Sequence, residues 1–131
     1  MKNLVEYINE SLSFNKNLGK VVAAVVNDFT EVDNGYKEAT VEYDSTDDKI
    51  YVDSVNENPG KYPNIFVTMF KGRGYLCEMI VTMTDRDRKA DASKGKGGVG
   101  DTFIIRNEEQ GKLEGKLWDY LEKLRDEYNK M

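Results

Sequence analysis

Lysines alternate with glycines in Lys94-Gly95-Lys96-Gly97-Gly98-Val99-Gly100. Backbone amides of a glycine-rich turn can cradle a phosphate, and the neighbouring ammonium groups would add charge to the cradle. Just upstream, Arg86, Arg88 and Lys89 bring residues 86–96 to five basic side chains against Asp87 and Asp91. Arg73 sits in a separate turn, Gly72-Arg73-Gly74. Arg73, Arg86, Arg88, Lys89, Lys94 and Lys96 are therefore the candidate contacts for nucleic acid or a phosphorylated ligand. The spacing does not fit a P-loop or a dinucleotide fingerprint, because both need a helix after the glycines. Here Gly100 runs into Asp101-Thr102-Phe103-Ile104-Ile105, which reads as a strand.

Other chemistries find less support. Asp85, Asp87 and Asp91, or Asp44, Asp47 and Asp48, have the carboxylates of a hard-cation site but not the EF-hand spacing. Arg86, Arg88 and Lys89 interleave the first set and would oppose a cation, so no metal is expected. The chain has no histidine, which excludes a Ser-His-Asp triad, a Cys-His dyad and any histidine-ligated metal. The single cysteine, Cys77, alternates with Met79, Val81 and Met83 and reads as a buried thiol. No pair of acids stands out for acid–base work. A non-enzymatic protein without a cofactor is the more economical reading.

The chain has 131 residues, 39% hydrophobic and 33% charged, enough for one domain with a real core. Its net charge is -5. Residues 1–70 carry twelve acids against six bases, whereas residues 71–131 carry twelve against thirteen. Bulk charge therefore does not favour nucleic acid, and any such contact rests on the local basic loop. No apolar run approaches the roughly 20 residues of a membrane-spanning helix, so no membrane partner is expected. Glu6 and Glu10 interrupt any signal-peptide core, so export by that route is not expected.

The hydrophobic periods give the elements. Leu4, Ile8 and Leu12 mark residues 2–12 as a short amphipathic helix, followed by a polar linker at 13–17 in which Asn17 is a candidate N-cap. Leu18, Val22, Val25, Phe29 and Val32 mark a helix over 18–33, closed by Asp33-Asn34-Gly35. The period then changes to two. Strands are expected at 37–43, 49–55, 65–71, 75–84 and 101–106, the third apolar on both faces and hence central. Residues 85–100 form the long connection before the last strand. Leu113, Leu117, Tyr120, Leu121, Leu124 and Tyr128 mark a final helix over 112–130. The expected fold is α+β: an antiparallel sheet of about five strands in a meander, with the helices 18–33 and 112–130 packed on one face and a short N-terminal helix. Residues 18–131 would form the single domain.

The first residues carry a more specific pattern. Met1 and Lys2 open the chain, Glu6 places an acid at position six, and Tyr7, Ile8 and Glu10 follow. This opening resembles the capsid-targeting peptide of internal head proteins in T-even-like tailed phages. In that family a prohead protease cuts after glutamate in a [Leu/Ile]-x-Glu setting. Ile8-Asn9-Glu10 matches it, which implies cleavage between Glu10 and Ser11; Leu4-Val5-Glu6 also satisfies the pattern. The processing and targeting residues are thus Leu4, Glu6, Ile8, Glu10 and Ser11. The resemblance implies a protein partner, either a phage scaffold and protease or a host factor, and a location in the virion interior, the host cytoplasm or both. Internal head proteins are often basic, whereas this chain is acidic, which turns the expectation from DNA packing toward binding a protein. The alternative is a cytoplasmic module that contacts nucleic acid or a phosphorylated ligand through the loop at 85–100.

Overall fold

The computed structural model describes residues 12–86, 98–106 and 110–131. The expected N-terminal helix, apart from Leu12, lies outside the described residues. Helix α1 spans Lys16–Thr30, and its N-cap is Asn15 rather than Asn17. The Asn15 side chain accepts hydrogen bonds from the N–H groups of Asn17 (2.9 Å) and Leu18 (3.3 Å). The Leu18 N–H also donates to the Asn15 carbonyl (3.1 Å), so the extended asparagine serves the first-turn N–H groups with both its side chain and its backbone. The helix ends at Thr30, short of the expected Asp33, and Val32 is 83% exposed instead of completing the apolar stripe. Gly35 adopts φ +92° five residues after the helix. It is thus part of the turn into the sheet and not the helix cap.

Five strands follow: β1 (Thr40–Asp44), β2 (Lys49–Ser54), β3 (Asn64–Lys71), β4 (Cys77–Thr84) and β5 (Gly98–Ile105). They form one antiparallel sheet in which each strand pairs with its neighbour in the chain, so β3 is central. Asp44 holds the first turn by accepting from the N–H groups of Thr46 (3.0 Å) and Asp47 (3.1 Å). Strand β5 begins three residues before the expected Asp101. Gly98, Val99 and Gly100 pair with Thr84, Met83 and Thr82 of β4. Val99 shares the side-chain phase of Phe103 and Ile105 and packs against the core, which extends the strand back into the glycine-rich stretch.

Helix α2 spans Gln110–Asn129 and starts two residues earlier than expected. Its buried residues are Leu113, Leu117, Leu121 and Leu124. They meet Leu18, Val22, Val25, Val26 and Phe29 of α1 and one face of the sheet, where Ile50, Val52, Val67, Met69, Met79 and Val81 are almost fully buried. Helix α1 lies on β1 and β2, α2 lies on β4 and β5, and the helices touch each other. The protein is thus an α+β fold with two helices on one sheet face. No helix among the described residues is long and apolar enough to cross a membrane.

Candidate functional site

Arg73 and Arg86, the candidate ligand contacts among the described residues, do not converge. Arg73 is exposed in the β3–β4 turn, and Arg86 is exposed just after β4. The eight residues of β4 lie between them, a separation of about 25 Å at the usual strand rise. One phosphate group cannot engage both. Arg88, Lys89, Lys94 and Lys96 lie outside the described residues, as do Leu4, Glu6, Ile8, Glu10 and Ser11. The last part of the glycine-rich stretch, Gly98–Gly100, is strand paired to β4 and leads into no helix. This removes those three residues from a phosphate cradle of the P-loop kind.

Arg86 itself is tied down by its backbone. Its N–H donates to Thr84 Oγ1 (3.1 Å), and its carbonyl accepts from Asn64 Nδ2 (2.9 Å). Asn64 Oδ1 accepts from the N–H of Asn56 (2.8 Å), and Asn56 Nδ2 donates to the carbonyl of Asn34 (2.9 Å). Both asparagines are buried, so their amides satisfy backbone groups that the ladder leaves unpaired at this end of the sheet. Together they fix where the basic segment leaves β4. The periodicity did not flag this cluster. Its signal in the sequence is the density of asparagines around the turns at 34–35 and 56–60.

The same end is closed by phenols and an ion pair. Tyr36 donates to the carbonyl of Pro63 (2.6 Å), and Tyr128 to that of Pro59 (3.0 Å). Burial raises the pKa of Tyr36 above the ordinary phenol value, with Arg125 opposing. Burial also raises that of Tyr128, helped by the charge of Asp85. Both phenols therefore stay protonated donors at neutral pH. Arg125 binds Asp33 at 2.5 Å and lays its guanidinium 4.0 Å from the ring centre of Phe29. These groups hold loops to helices. None is placed as a nucleophile beside a base. Among the described residues, no three or more Cys, Asp or Glu side chains are grouped to hold a metal ion.

A groove of about 470 Å³ lies where α1 and α2 begin. Leu12, Leu18, Val21 and Ala24 give it apolar walls, while Lys20 and Glu114 bring opposite charges to its lining. Leu12, the last residue of the N-terminal apolar stripe, lines it. Its chemistry suits an apolar edge with polar flanks rather than a phosphate. No family model matches the chain, and no curated protein or solved structure matches it either.

Proposed function

We propose that the chain is a two-part, phage-type, non-enzymatic protein: residues 1–10 act as a removable head-targeting peptide, and the α+β domain binds a host or virion protein. The peptide part rests on Met1, Lys2, Glu6, Tyr7, Ile8 and Glu10 and on the Ile8-Asn9-Glu10 cleavage pattern. That cleavage pattern is the observation that carries the reading. Among the described residues, the Asn15 cap of α1 and the buried core from Leu18 to Leu124 lie after the Glu10–Ser11 bond. An acidic excess in residues 12–70 favours a cationic protein surface as partner over nucleic acid.

Co-expression with a prohead protease of a T-even-like phage, read by intact-mass spectrometry, tests this reading. The expected product lacks residues 1–10 and melts at the temperature of the full chain, and Glu10→Ala blocks the cut. A chain left whole while a known head-protein substrate is processed in the same cells overturns the targeting role.

A further inference from the structure

The outer edge of β5 is occupied by side chains. The N–H of Thr102 donates to Oδ1 of Asp101 (2.9 Å) and so does not donate into the ladder with β4. Along an antiparallel edge strand, backbone groups point alternately toward the partner and away from it. Thr102 therefore faces outward, and Gly100 and Ile104, two residues to either side, face outward with it. Lys116 of α2 donates from Nζ to the carbonyl of Ile104 (3.1 Å), as that direction requires. Lys123, two turns further along α2, holds the second carboxylate oxygen of Asp101 at 2.8 Å. Helix α2 thus sets one ammonium on an outward carbonyl and steadies, through the other, the carboxylate that covers an outward amide. Beside them the Ile104 side chain is 45% exposed on the helix-free face of the sheet.

We propose that the β5 edge is a guarded strand-addition site whose partner is β5 of a second copy, paired antiparallel about Thr102. Exposed strand edges recruit other strands, and natural sheets commonly block them with lysines. In the paired state Thr102 faces its own counterpart. Ile104 of each copy lies against Gly100 of the other, where the absence of a side chain leaves room for the isoleucine. Asp101 flanks the two-fold axis, so the acid of each copy can take the Lys123 ammonium of the other. The edge is therefore complementary to itself in charge as well as in shape. Lys116 and the Asp101–Lys123 pair keep it single by satisfying the backbone groups that pairing would use.

Sedimentation velocity on the full chain tests this at tens of micromolar protein. The wild type is expected to sediment as a monomer. The variant Lys116→Met, which frees the Ile104 carbonyl and keeps Lys123 for Asp101 of the other copy, is expected to sediment as a dimer, with self-association at least tenfold tighter. Hydrogen exchange should show the Ile104 amide newly protected in that dimer, and adding Ile104→Lys should restore the monomer. Asp101→Ala uncovers the Thr102 amide but removes the acid that Lys123 of the other copy would take, so it should shift the equilibrium the same way by a smaller factor. A Lys116→Met variant that stays monomeric while melting like the wild type overturns the proposal, as does a dimer that survives Ile104→Lys. If Lys116→Met does not fold, the Asp101→Ala protein decides: a monomer with wild-type melting overturns the proposal.

Discussion

The two helices share one sheet face but are held there differently. Helix α1 buries eight of its fifteen residues and approaches β1 and β2 so closely that a Cβ on Gly19 would meet Val41 Cγ1 at 2.5 Å and Ile50 Cγ2 at 2.9 Å. Helix α2 buries four leucines of its twenty residues and leaves open space around Gly111 and Gly115. What α2 lacks in contact area it supplements with polar reach. Lys116 and Lys123 extend to β5, and Arg125 extends to Asp33 in the segment after α1. A helix seated by close backbone approach depends on a missing side chain. A helix seated by one leucine seam depends on each leucine and on the long side chains at its flanks.

The largest expected effect is on the seam. Leu117→Ala should cost about 3 kcal/mol in urea unfolding, because a fully buried leucine leaves a cavity that its neighbours fill only in part. A loss below about 1 kcal/mol would mean that α2 slides to refill the space and that the seam is not its anchor. Next comes the tie between the helices. Arg125→Ala removes a half-buried ion pair with Asp33 and the stacking on Phe29, and should cost about 2 kcal/mol. A double-mutant cycle with Asp33→Asn separates the charge contribution from the stacking.

The glycines give the sharpest contrast, because the same substitution should have opposite signs. Gly115→Ala meets nothing within 4 Å and should stabilise the fold by about 0.5–1 kcal/mol through helix propensity. Gly19→Ala gains the same propensity but drives a methyl into Val41 and Ile50, and should destabilise by about 1 kcal/mol net. Equal signs in thermal melting would break the distinction between the two seats. The smallest effect concerns Asp101, whose pKa is held below the ordinary carboxylate value mainly by its hydrogen bond from Lys123. A depressed folded pKa stabilises the fold above the unfolded value of 3.8, and this contribution fades as pH falls through the folded value. The acid limb of the stability profile should therefore be slightly shallower in Lys123→Ala than in the wild type. Both groups are exposed, so salt should weaken the difference.

The core was legible in the sequence because its signal is periodic. Leu18, Val22, Val25 and Phe29 repeat at helical spacing, Cys77 to Met83 alternates, and the structure buries each of them. Boundaries were less legible where two residues offered the same local chemistry. Asn15 and Asn17 are both good caps, and the choice followed from which register places Leu18 on the sheet. Val32 fits the helical period but lies beyond Thr30, where the chain already turns toward β1. Glycines 98 and 100 read as loop because strand propensity penalises them, yet pairing with β4 and the packing of Val99 outweigh that local cost. The candidate contacts Arg73 and Arg86 were grouped by charge, and only the length of β4 shows that they lie at opposite ends of the sheet.

By itself the sequence determined the type and order of the described helices and strands, most of their core-facing residues, and the absence of histidine chemistry. Those depend on residue type and spacing within a few turns of chain. Only the tertiary structure decided that Asn56 and Asn64 close one end of the sheet and that Arg125 meets Asp33 across 92 positions. The same holds for Lys116 and Asp101–Lys123 along the β5 edge. These contacts join residues far apart in the chain. A polar side chain has no periodic signature, and its partner is settled only once the hydrophobic faces have brought the elements together.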